Sequence, residues 1–160
     1  MTNQFSEGSL GAALEREHHE IDAGIEAYAA SLSRATPDIA ALAGAIRALR
    51  RHIYLEEEVL FPSLTGEPSL PMAIFVMYRE HGEIWREMDQ VEMLLASGAD
   101  SDVLRSRCDE LLDLLKKHNF KEEPVIYGKA DEVLASEVNQ KIRDFLRNGS
   151  MPAGWTCKKA

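Results

Sequence analysis

Apolar residues recur along most of the chain at alternating spacings of three and four, as in helices that bury one face. In the first such segment, from about Ser9 to Arg34, the apolar face contains Leu14, His18, Ile21, Ile25, Tyr28 and Leu32. His18 belongs to this face, whereas His19 is rotated about 100° from it around the helix. The pattern predicts a helix that points His18 inward and leaves His19 in solvent.

Three further segments have the same periodicity. The second spans about Pro37 to Leu64, with Thr36 as the expected N-cap and Pro37 in the first turn. The third runs from about Pro71 to Ser97, and the fourth begins near Ser101. Each of these faces includes a histidine, namely His52, His81 and His118 in chain order.

The fourth helix is interrupted by Pro124, which lacks an amide donor and is predicted to kink or end the helix. A short fifth helix is expected from about Asp131 to Leu146. Its apolar residues, Val133, Leu134, Val138, Ile142 and Phe145, should cover one end of the fold.

No segment alternates in the manner of a strand, so the prediction is an all-α, up-down-up-down four-helix bundle with a short fifth C-terminal helix. We expect residues 1–8 to form a flexible N-terminus, residues 9–147 the helical domain, and residues 148–160 a C-terminal tail. Cys157 would then lie in a flexible segment. In an antiparallel bundle the four helices bring their inward histidines to a common depth, roughly 14–18 Å from one end.

Two short motifs occur twice each in this chain. Residues 17–21, Glu-His-His-Glu-Ile, return as Glu-His-Gly-Glu-Ile at residues 80–84, and the His-x-x-x-Glu-Glu of residues 52–57 returns at residues 118–123. A histidine and a glutamate four residues apart share one helix face, where they can bind a divalent metal together. The repeats therefore predict one metal site built from His18, His52, Glu56, His81, His118 and Glu122.

A simpler interpretation applies to each residue taken alone. A single histidine on an apolar face is more often a core residue than a ligand, and Glu17 and Glu80 are by default solvated, with partnership to a ligand as the alternative. Glu57 and Glu123 are interpreted as solvated or as partners of ligands, and Trp85 as core packing. Burying four imidazoles and two carboxylates without a metal is costly, so the metal site is the favoured hypothesis.

The charge composition limits which binding partners are expected. There are 27 acidic and 18 basic residues, for a net charge of −9. This charge argues against nucleic acid or an anionic membrane as the main partner. No apolar run approaches the roughly 20 residues of a membrane span, and the first residues do not resemble a signal peptide. Two cysteines suit a reducing compartment, so the expected location is cytoplasmic.

Imidazole and carboxylate ligands without thiolate suit iron, manganese or zinc. Four nitrogens and two carboxylates are too many for one tetrahedral zinc ion. They divide over two metals, each with two histidines, and Glu56 and Glu122 would bridge the pair. Two iron ions with vacant positions would bind dioxygen, nitric oxide or a peroxide.

From about Leu14 to Tyr127 the sequence resembles the hemerythrin-like proteins, the family named for its HHE cation-binding motifs. The most specific part of this resemblance is the first His-x-x-x-Glu-Glu together with Val-Leu-Phe-Pro at residues 59–62. The resemblance implies a diiron centre held by the six residues named above. Oxygen-carrying members have a fifth histidine one turn after the third-helix ligand, where this chain has Trp85.

Three functional hypotheses remain open from the sequence. The first is a non-haem diiron protein that binds dioxygen, nitric oxide or iron itself for sensing, storage or detoxification. The second is a diiron peroxidase or oxidase, or an iron donor in iron–sulfur cluster repair. The third is a bundle in which the metal is purely structural. No acid–base pair apart from the proposed ligands is evident, so no catalytic residue is assigned.

Overall fold

The computed structural model describes residues 8–160, so most of the predicted flexible N-terminus lies outside the described part. Over this range the chain is helical and contains no β-strand. The helices are α1 (Leu10–Ser31), α2 (Ile39–Leu55), α3 (Pro71–Ala96), α4 (Ser101–Glu122), α5 (Gly128–Val133) and α6 (Ser136–Asn148). The all-α prediction is confirmed.

Hydrogen bonds at the turn between α1 and α2 determine where α2 begins. The Asp38 amide donates to Ser31 Oγ at 2.7 Å, and the Asp38 carboxylate accepts the Ala41 amide at 3.1 Å. Asp38 is therefore the N-cap of α2, and the prediction of Thr36 was wrong. The helix starts two residues later than expected because residues 32–36 form a turn and a bend, which the hydrogen bond between Ser31 and Asp38 closes.

Both α2 and α4 continue into π-helical turns, at Glu56–Leu60 and Glu123–Tyr127. In a π turn each amide donates to the carbonyl five residues earlier, so residues five apart share one face of the helix. The Phe61 amide accordingly donates to the Glu56 carbonyl at 2.8 Å. Pro124 lies at the start of the second π turn. The backbone thus changes at Pro124, but the chain continues helically into α5.

The predicted fifth helix is divided by a break at Leu134 and Ala135, giving α5 and α6. Within this region Ile142 is fully buried, and Leu134, Val138 and Phe145 pack against the core beside it. Val133 is exposed and does not contribute as predicted.

The core consists of two apolar clusters separated by a layer of buried polar side chains. α1 packs chiefly on α2 and α3 on α4, with a further contact between α1 and α4. One cluster contains Ile25, Tyr28 and Met88, and the other contains Leu14 and Phe61. Between residues 8 and 160 no helix combines the length and apolar character required to cross a bilayer.

The C-terminal tail has no regular helix, yet it is packed against the bundle. The Trp155 ring meets those of Tyr54 and Trp85 edge-on, with centroids 5.1 and 5.6 Å apart. Cys157 is only 3% exposed. The expectation that Cys157 lies in a flexible segment is wrong, because the aromatic contacts of Trp155 bring the following residues against α3.

Candidate metal centre

The polar layer contains the four histidines and two glutamates predicted from the repeats. His18 lies on α1, His52 on α2, His81 on α3 and His118 on α4, and each imidazole is buried. Glu56 and Glu122, one turn beyond the histidines of α2 and α4, are 1% and 0% exposed. His19 is exposed, as the periodicity predicted.

Distances divide these side chains into two groups that share both carboxylates. The first half-site contains His18, His52, Glu56 and Glu122, and the second half-site contains His81, His118 and the same two glutamates. In each half-site the candidate ligand atoms all lie within 4.8 Å of one another, close enough to hold a metal ion.

Each carboxylate lies between one histidine of each half-site. Glu56 Oε1 is 3.5 Å from His52 Nε2 and 3.3 Å from His81 Nε2. Glu122 Oε1 is 3.4 Å from His18 Nε2, and its Oε2 is 3.4 Å from His118 Nε2. This is the placement required of a carboxylate that bridges two metals.

Several atoms that point into the layer lack a hydrogen-bond partner among the described residues. They are Glu56 Oε1, both carboxylate oxygens of Glu122, and His81 Nε2. Leaving a buried polar atom unpaired costs about 1–3 kcal/mol. Because all of these atoms are metal ligands by chemistry, cations in the two half-sites would satisfy them together, and the residues fit a metal centre.

A set of outer carboxylates contacts the far side of three imidazoles. His52 Nδ1 lies 2.9 Å from Glu17, His81 Nδ1 lies 2.7 Å from Glu57, and His118 Nδ1 lies 3.0 Å from Glu80. A carboxylate that accepts the Nδ1 proton leaves the Nε2 lone pair directed inward and makes it a better donor to metal. The default reading of Glu17 and Glu80 as solvated was therefore wrong.

The buried histidines and glutamates of the polar layer shift one another's pKa values. Burial alone raises the pKa of Glu122, but the imidazoles of His118 and His18 hold that pKa well below its usual range. Burial alone lowers the pKa of His118, whereas Glu122 and Glu80 raise it to about 10. Metal binding therefore displaces protons from imidazoles, which makes the affinity pH-dependent.

The sequence analysis missed Tyr127, whose hydroxyl lies inside the first half-site. It donates to Glu56 Oε2 at 2.7 Å and lies 2.9 Å from His18 Nε2 and 3.0 Å from His52 Nε2. The two imidazole nitrogens are themselves 3.0 Å apart. Such a triangle matches adjacent ligands on an octahedral metal, since bonds of about 2.1 Å at right angles separate ligands by about 3.0 Å.

A longer alignment of the repeats would have located Tyr127. Residues 57–61, Glu-Glu-Val-Leu-Phe, correspond to residues 123–127, Glu-Pro-Val-Ile-Tyr, so Phe61 is the counterpart of Tyr127. Phe61 stacks on His81 with centroids 5.6 Å apart. The same position thus supplies an apolar ring to the second half-site and a hydroxyl to the first.

Beside the four imidazoles lies a small cavity, lined by Ile21, Leu49, Ile53, Ile84 and Leu115 together with Asp22 and Asn119. The centre of a water-sized sphere can occupy about 10 Å³ of this cavity, which is room for about one water-sized molecule. A groove of about 510 Å³ lies outside it, between α1 and α4. His18, Asp22 and Asn119 line both spaces, so the groove leads toward the first half-site.

Trp85 occupies the position one turn after His81 and does not line this cavity. It is buried, its ring contacts Trp155, and the Arg50 guanidinium lies over it at 4.4 Å. The interpretation of Trp85 as core packing is confirmed.

Comparison with known proteins agrees with this geometry. Residues 10–130, about three quarters of the chain, match the model of the hemerythrin HHE cation binding domain. No match was found among curated proteins or among solved structures. The matched segment runs from the start of α1 into α5 and includes all six buried histidines and glutamates of the polar layer. The chain belongs to the hemerythrin HHE cation-binding domain family.

Proposed function

We propose that this protein is an up-and-down four-helix bundle that binds two metal ions, one in each half-site, with Glu56 and Glu122 as bridges. The observation that carries the proposal is that two groups of ligand atoms share both carboxylates. Nitrogen and oxygen ligands without thiolate favour iron in iron-replete cells, and manganese or zinc would also fit.

The charges around the layer support a two-metal centre. Two ferrous ions bring four positive charges into a buried layer, and neutral imidazoles offset none of them. Glu56 and Glu122 lie inside the layer, and Glu17, Glu57 and Glu80 contact its histidines from outside. Glu56 and Glu122 offset two of these charges directly, and the outer carboxylates supply further negative charge through the imidazoles, so the buried cations are paired.

The small cavity favours a small ligand. A space for about one water-sized molecule admits dioxygen, nitric oxide or peroxide and excludes an organic substrate. Bound iron would supply reversible binding or electron transfer to such a ligand. The Tyr127 hydroxyl is positioned as a fifth ligand in the first half-site, whereas Phe61 and Trp85 add no ligand to the second, which keeps one more vacant position than the first. We therefore propose that the protein binds dioxygen, nitric oxide, a peroxide or iron itself, and that this binding serves sensing, storage or detoxification.

A second candidate function is a small diiron peroxidase or oxidase. It is favoured by the Tyr127 hydroxyl, a buried O–H group beside the half-site that can donate a hydrogen bond to an oxygen-containing ligand. The two candidates differ in whether the ligand is released unchanged.

Anaerobic loading with ferrous iron, followed by elemental analysis and separate exposure to dioxygen, nitric oxide and peroxide, tests these functions. We expect about two irons per chain, as in other two-metal sites. A spectrum that reverses when the ligand is removed supports binding, and peroxide consumed over many turnovers supports the enzyme. One zinc and no iron from iron-replete cells would refute the proposed two-iron site. Two irons that give no spectral change with any of the three ligands would refute a function in binding those ligands.

The Tyr127→Phe variant tests the role of the hydroxyl, because it gives the first half-site the same ring as Phe61 gives the second. If the oxygen of Tyr127 binds ferric iron, the wild type should show a visible phenolate-to-iron absorption band that the variant lacks. Tyr28→Phe is the control, since Tyr28 is a buried tyrosine in the apolar core. A band unchanged by Tyr127→Phe would show that Tyr127 is not a ligand.

A further inference from the structure

The two halves of the repeated motif do not have the same geometry around the metal layer. Glu57 and His81 correspond in the repeat to Glu123 and His18. Glu57 Oε2 is 2.7 Å from His81 Nδ1, whereas Glu123 Oε2 is 3.8 Å from His18 Nδ1. The Glu57 side chain is 3% exposed and that of Glu123 is 25% exposed. Since the paired residues themselves are of the same types in both copies, the difference must come from their surroundings.

The C-terminal segment accounts for this difference. The Lys158 amide donates to Glu57 Oε1 at 2.9 Å, and the other oxygen of that carboxylate contacts His81 Nδ1. Glu57 is thus held between a backbone amide and the imidazole. Glu123 instead lines the open groove between α1 and α4.

Several contacts keep residues 155–159, the C-terminal strap, in place. Trp155 Nε1 donates to Glu58 at 3.0 Å, and Arg86 donates to the Lys159 carbonyl at 2.8 Å. The Lys158 ammonium lies 5.0 Å from the centre of the Tyr78 ring. The strap is therefore anchored on both sides of the amide that reaches Glu57.

Gly82 makes room for the strap. A Cβ at this position would lie 2.5 Å from the Lys159 carbonyl oxygen, closer than real Cβ contacts allow. The counterpart of Gly82 in the first copy of the motif is His19, which is exposed. The one position that differs within the two five-residue motifs is thus the position where the strap crosses.

We propose that the C-terminal strap is a positioning element of the metal centre: the Lys158 amide orients Glu57, which holds His81 with Nε2 directed inward. The strap therefore strengthens metal binding at the second half-site and leaves the first half-site unaffected. This inference rests on the proposed two-metal function. Loss of a carboxylate partner of a metal-binding histidine typically weakens metal binding about 10–100-fold, and the strap acts through such a partner.

Anaerobic titration of the full chain with Co²⁺, followed by its visible absorption, measures the two binding steps separately. Gly82→Ala should displace the strap and weaken one of the two steps about 10–100-fold while the other is retained. Gly44→Ala is the matched control, because Gly44 also lies in a helix and a Cβ there meets nothing within 4 Å. It should leave both binding steps as they are in the wild type.

A truncation after Thr156 removes the Lys158 amide without introducing a clash, and it serves if Gly82→Ala fails to fold. Proton–nitrogen NMR of metal-free and zinc-loaded protein provides a readout that a general loss of stability would not move. In wild type the His81 Nδ1 proton should resonate far downfield because of its bond to Glu57. Both variants should shift this proton upfield and leave that of His52, which bonds Glu17, unchanged.

Two results would overturn the inference. The first is a folded variant in which the His81 Nδ1 proton resonance is unchanged and both Co²⁺ binding steps keep their wild-type affinity. The second is a variant in which both Co²⁺ binding steps are weakened equally. A wild type that binds fewer than two Co²⁺ ions would instead refute the proposed function, and the His81 resonance of the metal-free protein would still test the strap. The two failures are therefore distinguishable.

Discussion

Metal-dependent stability should distinguish ligands of one half-site from ligands of both. His18 belongs to the first half-site alone, whereas Glu122 contributes an oxygen to each. His19 is the adjacent exposed residue and contacts neither half-site. The informative set is therefore His18→Ala, Glu122→Gln and His19→Ala, each compared with wild type.

The expected gain in stability on metal binding follows from the linkage between binding and folding. A metal present at 100 times its dissociation constant stabilises the folded state by about 2.7 kcal/mol per site, hence about 5.4 kcal/mol for two sites. For a chain of this length each kcal/mol shifts Tm by about 2–4 °C, so wild type should gain about 11–22 °C. His18→Ala should keep about half of that gain, His19→Ala all of it, and Glu122→Gln little of it.

Differential scanning calorimetry with Mn²⁺, or with Fe²⁺ under anaerobic conditions, measures these gains. Each variant is compared with its own metal-free form, so changes in intrinsic stability cancel. If Glu122→Gln lost no more of the gain than His18→Ala, the carboxylate would serve one metal and the bridged arrangement would be wrong. If His19→Ala lost as much as His18→Ala, the assigned inward face of α1 would be wrong.

Two further predictions concern packing away from the metal layer. Gly24→Ala places a Cβ 2.8 Å from that of Ala45, so it should lower the free energy of unfolding, measured in urea, by about 1–3 kcal/mol. Gly44→Ala should raise the free energy of unfolding by up to about 1 kcal/mol, because a Cβ there meets no other atom. Equal effects of the two substitutions would refute the close approach of α1 and α2. Burial raises the pKa of the Cys108 and Cys157 thiols to about 11, so both should react slowly with Ellman's reagent at pH 8 in the native protein and quickly in urea. Fast native reaction of Cys157 would show that the strap is loosely bound.

Features governed by short-range spacing could be predicted from the sequence. His18 was placed inward and His19 outward because helical periodicity fixes their angular separation. Glu56 and Glu122 were placed beside their histidines because residues four apart share a helix face. The convergence of the four histidines was predicted because each lies at a similar distance from the helix end that an antiparallel bundle brings to one side.

Features that depend on tertiary contacts or on a local change of helix type could not be predicted in this way. Tyr127 is five residues beyond Glu122, a spacing that reaches the same face only in a π turn. The pairing of Glu17 with His52 depends on how α1 is rotated against α2, which the periodicity of one helix does not specify. The strap has no periodic pattern, and its position depends on contacts with the π turn that follows α2 and with α3.

A duplicated motif would by itself build two equivalent half-sites, so any division of labour between the two metals must arise outside the motif. In this chain three such differences act together. Tyr127 adds a hydroxyl to the first half-site, the strap seats Glu57 against His81 of the second, and the groove reaches only the histidine of the first. The second half-site therefore has an outer carboxylate on each of its histidines and one ligand fewer, while the first lies on the side of the groove. The two half-sites therefore differ in their surroundings, although two histidines and the same two glutamates build each.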